Sequence, residues 1–251
     1  MAPALAPAAL FGLIIGSFLN VVAWRLPRGA SLLRPRSACP GCGAAVKPYD
    51  NVPVLSWLAL RGRCRGCGER ISPRYPIVEA VTAALYVAVV AAKHDDVPQM
   101  VLGLVLVTFL VPITVIDLDR RIIPNRLTGP AAVLAIALGA LLDPSHLPEQ
   151  LAAGAGALLF FYLPALIHSK GMGMGDVKLA GVLGLYLGRA VAPALFAALI
   201  LGVVIGAAII AYKGVSEGRR TKVPFGPFMA LGAVFALFAG DAIVDGYVDG
   251  F

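Results

Sequence analysis

This sequence is short of charge. Only 14% of its 251 residues are Asp, Glu, Lys or Arg, against about 25% in a typical soluble domain, while 59% are hydrophobic. That imbalance excludes an ordinary soluble enzyme and predicts a chain dissolved largely in lipid. Cysteine is scarcer still. The four present form two CxxC pairs rather than a scattered set, which argues against a disulfide framework. The three histidines, His94, His146 and His168, stand far apart without ligand spacing, so no histidine metal site is expected. There is no glycine-rich dinucleotide loop, no internal repeat and no long low-complexity tract. The first residues lack the basic region of a cleavable leader, so the apolar run that follows reads as a retained helix.

What is present is a series of apolar runs near the roughly 20 residues needed to cross a bilayer. They fall at about 4–24, 77–92, 98–116, 128–142, 150–168, 176–188, 190–212 and 225–244. The fourth and sixth are short, which suits tilted, partly re-entrant or neighbour-shielded helices. The expected fold is an all-α polytopic membrane protein of about eight transmembrane helices with a small zinc-binding cytoplasmic insertion. Three parts are expected: a first transmembrane helix over 1–24, a cytoplasmic four-cysteine domain over 25–76, and a transmembrane domain over 77–251. Gly139, Gly154, Gly156, Gly202 and Gly206 suit close helix packing in lipid.

Charge placement orients the chain. Of the 21 Lys and Arg residues, 19 follow the odd-numbered runs and only Lys93 and Arg189 follow the even ones. By the positive-inside rule the odd loops are cytoplasmic and both termini lie outside. The net charge of +7 would suggest nucleic acid in a soluble protein. In this setting no nucleic-acid partner is expected, and anionic lipid head groups are the natural counterpart.

Cys39-Pro-Gly-Cys42 and Cys64-Arg-Gly-Cys67 are two knuckles, each able to present two thiolates to one tetrahedral ion. Two disulfides or four free thiols are the bland alternatives, and a cytoplasmic location disfavours the first. The expected metal is zinc in a closed structural site, stapling a small segment with few large apolar side chains.

Ionisable residues at membrane depth call for a functional hypothesis. Asp117 ends the third run and Asp176 begins the sixth within Gly173-Met174-Gly175-Asp176. Both fall on the expected cytoplasmic side, at one depth. Two such carboxylates can form an aspartyl dyad that shares a proton and activates water. Each also has a bland reading. Asp117 could pair with Arg120 or Arg121, and Asp176 could cap a helix. Asp119 reads as a solvated or Arg-paired neighbour, though spacing alone does not exclude it as the catalyst. Lys178 either tunes the dyad or snorkels. Asp241, Asp245 and Asp249 share one helix face and read as a solvated acidic end. No Ser or Cys nucleophile is paired with a base, so a covalent intermediate is not expected.

At this point the residues resemble a known family, the bacterial type IV prepilin peptidases of the GxGD aspartyl membrane proteases. The resemblance rests on Gly16-Ser17-Phe18-Leu19-Asn20 through Arg25-Leu26-Pro27, the paired CxxC module with Asp50 to Trp57 between its knuckles, and Arg74-Tyr75-Pro76 through Glu79. It continues with the Asp-rich stretch ending in Pro124-Asn125, then Gly173 to Asp176, then Pro224-Phe225-Gly226-Pro227. It implies eight spanning helices and cleavage of the basic leader from prepilins or type II secretion pseudopilins at the cytoplasmic face of the inner membrane. Asp117 and Asp176 match the family's catalytic aspartates. The resemblance also implies N-methylation of the new N-terminus with S-adenosylmethionine, for which no binding residues are assigned. Arg74, Glu79 and the 50–57 segment are candidates either for methyl transfer or for docking the cytoplasmic domain. The competing reading is a membrane transporter or scaffold with a zinc docking module. Transport carboxylates usually lie near the bilayer midplane, and these lie at helix ends.

Overall fold

The computed structural model describes residues 2–167, 173–218, 221 and 223–250. Ten α-helices run in order: α1 (Ala2–Arg25), α2 (Leu55–Ala59), α3 (Arg74–Lys93), α4 (Val97–Arg120), α5 (Asn125–Leu142), α6 (Leu147–Ile167), α7 (Met174–Leu187), α8 (Val191–Lys213), α9 (Val215–Gly218) and α10 (Gly226–Val248). Among the described residues there is no sheet, only two isolated antiparallel bridges, Ala38 with Ala45 and Arg63 with Arg70. The chain divides into two compact units, Met1–Asp95 and Asp96–Phe251.

Among the described residues seven stretches are long and apolar enough to cross a membrane, one fewer than the eight expected. The difference lies in 174–213, which forms one 40-residue apolar stretch. It is not one straight rod, because Gly188 takes a left-handed φ of 53° and a short 3-10 turn separates α7 from α8. At about 1.5 Å per residue, α7 alone reaches only about 21 Å, short of a hydrocarbon layer of about 30 Å. It is instead sheathed by protein, with nine of its 14 residues buried, Val177, Leu179–Leu183's apolar run and Tyr186 among them.

In the first unit α1 and α3 form an antiparallel pair. Gly12 lies against Ala83, Gly16 against Glu79, and the Asn20 amide donates to the Tyr75 carbonyl at 3.2 Å. One turn forward on α1 is one turn back on α3. A Cβ at Gly16 would sit 2.8 Å from the Glu79 Cα, so glycine is what lets the backbones approach.

The second unit repeats the device. Gly184 of α7 backs onto Ala153 and Gly154 of α6, and Gly232 of α10 onto Ala194 and Ala198 of α8. Of the five glycines expected to serve packing, Gly139, Gly154 and Gly202 meet neighbours, whereas Gly156 and Gly206 face open space. The turn after α7 is pinned twice. Glu149 accepts the Arg189 backbone N–H at 2.9 Å, and the Arg189 guanidinium meets Asp245 at 2.8 Å and Asp241 at 3.9 Å. The acidic face of α10 is therefore an anchor for Arg189, and not simply a solvated end.

Candidate active site

α4 carries Asp117 in its last turn, one residue after the fully buried Ile116. The helix stops at Arg121, whose left-handed φ of 55° and N–H to the Asp117 carbonyl close the end. Asp117 points inward and is only 4% exposed. Its carboxylate does not take up Arg120 or Arg121. Its Oδ2 accepts the backbone N–H of Gly226 at 2.9 Å. Gly226 is the first residue of α10, so this N–H has no partner within its own helix. A side chain from another helix thus satisfies it. The contact leaves no room at position 226: a Cβ there would fall 2.7 Å from Asp117 Oδ2.

Asp176 is the third residue of α7, and the N-cap position belongs to Gly173. The carboxylate reaches back to the Gly173 N–H, half of a capping box. A Cβ at Gly173 would come within 2.9 Å of Asp176 Oδ2. The next glycine of the motif serves a different contact. A Cβ on Gly175 would lie 2.9 Å from Ile123 Cβ, so the start of α7 rests against the loop that follows α4. Asp117 lies within Coulombic range of Asp176. The two acids, distant in sequence, therefore share one locality. Asp119, two residues on, is exposed.

Lys178 is exposed and donates to Asn125 Oδ1 at 3.0 Å, tying the first turn of α7 to the start of α5. Both residues line a groove of about 450 Å³ between α5, α6 and α7, whose walls include Gly129, Gly154, Leu158 and Leu185. Sequence reasoning singled out Lys178 and took Asn125 only as the end of the Asp-rich motif, without linking the two, and it missed Gly226 as the Asp117 partner. The Pro224-Phe225-Gly226-Pro227 motif was the available signal, and nothing local in it names an acid on another helix.

The cysteines also come together. Cys39 Sγ lies 3.7 Å from Cys67 Sγ, Cys42 Sγ lies 4.0 Å from Cys64 Sγ, and all four sulfurs fall within 4.8 Å of one another. None is in a disulfide, whose S–S bond would be about 2.05 Å. A tetrahedron with metal–sulfur bonds of about 2.3 Å has edges of about 3.8 Å, so this donor set could hold one metal ion. The backbone N–H groups of Cys67 and Gly66 are directed at Cys64 and pull its thiol down to about 7. The cluster is half-buried to exposed.

Elsewhere in this unit, buried Glu79 accepts the Val54 N–H at 2.7 Å beside Ser17. Trp57 donates through its indole N–H to the Ile71 carbonyl at 3.0 Å. The Asp50 carboxylate takes a bidentate Arg65 and is held below its ordinary range by that guanidinium. Glu79 therefore holds the 50–57 segment by its backbone. His94 pairs with Asp95, His146 pairs with Asp143, and His168 lies outside the described residues.

Two family models match the chain: Bacterial Peptidase A24 N-terminal domain over residues 10–93, and Type IV leader peptidase family over residues 104–210. Relatives described as prepilin leader peptidase/N-methyltransferase include one from Aeromonas hydrophila, 36% identical over 96% of this chain and 93% of the relative. One from Bacillus subtilis is 34% identical over 95% and 96%. One from Myxococcus xanthus is 41% identical over 85% of this chain, which spans 65% of that relative. No solved structure gave a significant match. The apolar helices and these bacterial relatives make this a multi-pass protein of the inner membrane. Fold, motif order and relatives agree: the chain belongs to the bacterial type IV prepilin peptidase/N-methyltransferase family.

Proposed function

We propose that the chain is an aspartic endopeptidase that removes the basic leader from type IV prepilins or type II secretion pseudopilins, with Asp117 and Asp176 as its catalytic pair. The observation that carries this reading is the Asp117 locality. A buried carboxylate, fixed by the Gly226 N–H, stands within Coulombic range of a second carboxylate brought up by a glycine contact. One acid in ionised form takes a proton from water, whose oxygen attacks the scissile carbonyl. The other, protonated, donates to the carbonyl oxygen. The pair titrates as a unit. The groove between α5, α6 and α7 is apolar along its walls and suits the hydrophobic segment of a membrane-inserted substrate.

The orientation follows from the loop charges. With α7 and α8 taken as separate crossings, joined by the pinned Arg189 turn, both termini lie outside and the dyad faces the cytoplasm. Residues 25–76 are then a cytoplasmic insertion, and the four cysteines hold zinc as a structural staple. Zinc suits an all-thiolate set with no open position. The relatives' names carry methyl transfer as a second activity, with S-adenosylmethionine as donor by family resemblance. That donor is a sulfonium and ammonium cation. Neither the groove nor a second cavity around Trp57 is lined by a carboxylate to meet it, so no residue is assigned to it and no step is derived through it.

The test is mass spectrometry of a membrane-inserted prepilin incubated with the wild type, Asp117→Asn or Asp176→Asn, each with and without S-adenosylmethionine. Leader loss with the wild type and neither variant supports the dyad, and one added methyl mass supports the second activity. Cleavage surviving in both variants rules the dyad out. An uncleaved substrate with folded wild type turns the reading toward the transporter or scaffold alternative.

A further inference from the structure

The first unit holds a cavity of about 370 Å³ whose lining includes Trp57, Arg61, Arg63, Arg70 and Ser72. Its construction is unusual for a surface that does nothing. Arg63 and Arg70 face each other across an isolated antiparallel bridge. Directly opposed residues of this kind project to the same side, where like charges oppose the pairing. The fold enforces the juxtaposition from both ends. The Cys64 N–H donates to the Glu69 carbonyl, and the Ile71 N–H to the Gly62 carbonyl, so the hairpin closed by the second cysteine knuckle locks the two arginines side by side.

Arg61 completes the set. Among the described residues it is one of three non-glycine positions with a positive φ, at 52°, a conformation that places strain at functional sites more often than elsewhere. Trp57 forms the floor. Its ring lies over Gly62, where a Cβ would fall 2.9 Å from the indole, and its N–H is already committed to Ile71. None of the three guanidiniums has a carboxylate partner among the described residues, and no acidic side chain lines the cavity.

We infer that the cavity of Arg61, Arg63 and Arg70 over Trp57 is a binding site for a phosphate-type anion. Three guanidiniums offer planar, bidentate donors suited to phosphate oxygens, and the anion relieves the opposed charges of the bridge. Location supplies two sources. Ser72 and Pro73 line the cavity and the membrane-length helix α3 begins at Arg74, so the site stands where the chain meets the head groups. Either an anionic phospholipid presents its phosphate there, or a free phosphate ester does. The inference is independent of the dyad.

The experiment uses the full chain with Trp24→Phe, which leaves Trp57 as the single tryptophan, reconstituted in phosphatidylcholine nanodiscs. One arm replaces part of the lipid with phosphatidylglycerol. The other adds inorganic phosphate or glycerol 3-phosphate to the pure phosphatidylcholine discs. A saturable change in Trp57 emission is expected in at least one arm, and the arm that responds identifies the source. Arg61→Gln/Arg63→Gln/Arg70→Gln should weaken the response about tenfold or more, while Arg34→Gln/Arg36→Gln, outside the cavity, leaves it unchanged. Should the glutamine variant unfold earlier on heating, Arg61→Lys/Arg63→Lys/Arg70→Lys decides, with binding reduced but retained. No emission change in either arm overturns the inference. So does a change that survives the glutamine substitutions, or one lost equally in the Arg34/Arg36 variant.

Discussion

The backbone N–H of Gly226 donates to the carboxylate of Asp117 at 2.9 Å, across 109 residues of sequence and between the end of one helix and the start of another. The contact fixes both the direction of the acid and the distance between α4 and α10. It also explains why the residue at 226 has no side chain.

Gly226→Ala keeps the donor but places a methyl group 2.7 Å from Asp117 Oδ2 and 3.3 Å from its Cβ. The Oδ2 contact is about 0.7 Å inside ordinary van der Waals range, so the acid must move by most of an ångström. A misplacement of about 1 Å in a catalytic group costs about 10²-fold in rate. Leader cleavage should fall by that factor, measured as initial rate on a detergent-solubilised prepilin. Helical content by circular dichroism should be unchanged. A rate within about twofold of wild type would mean that Asp117 is not positioned by this contact.

Glu79→Ala removes the acceptor of the Val54 N–H and leaves that group without its partner. The expected loss is about 1–3 kcal/mol of local stability, the cost of an orphaned donor. It should appear as faster limited proteolysis within residues 50–57. Glu79→Gln retains an acceptor oxygen and should protect the segment nearly as well as the wild type. Equal protection in all three would show that Glu79 does not hold the segment.

Gly184→Ala and Gly156→Ala form a matched pair. A Cβ at 184 collides with the Ala153 backbone at 2.5 Å, whereas one at 156 meets nothing within 4 Å. The first should lower thermal stability by about 1–3 kcal/mol through overpacking. The second should be neutral or slightly stabilising, by up to about 1 kcal/mol. Thermal unfolding in one detergent, monitored by circular dichroism, compares them directly.

The four-cysteine cluster should bind close to one equivalent of zinc per chain, measured by elemental analysis of the purified protein. Cys39→Ser should abolish that stoichiometry. Thiolate ligands must be deprotonated to bind, so retained metal should fall as pH is lowered. Metal retained in full by Cys39→Ser would place it elsewhere.

The sequence made the helices legible because a lipid-facing run of apolar residues is a local signal. Asp117 and Asp176 stood out as carboxylates at the ends of apolar runs, but local sequence left each an equally good bland reading, and it was the family resemblance that singled them out as a pair. The four thiols carried their own spacing. What could not be read were contacts between elements. Asn125 as the partner of Lys178, Gly226 as the partner of Asp117 and Arg189 as the partner of Asp245 are pairings across 53, 109 and 56 residues. Nothing in either local sequence specifies the other member. The break between the runs 176–188 and 190–212 was legible and the structure keeps it, at Gly188 and a buried turn; the count differs from eight because α7, 14 residues long, is joined with α8 in one apolar stretch.

The antiparallel seam of α1 and α3 has a consequence for how this chain can change over time. Gly12 and Gly16 zip the two helices together, so residue 26 leaves the pair close to where residue 73 returns. The intervening segment is thus a bouquet tied at a single stem. Lengthening such an excursion costs little, about 0.6 kcal/mol for each doubling of its length, and the stem grips its contents at few points, through Arg25 at the Ser31 and Pro35 carbonyls and Glu79 at the Val54 N–H. Those grips take backbone groups, so a lineage can enlarge or trim the rest of the segment, cysteines included, while the two helices beneath it keep the same register.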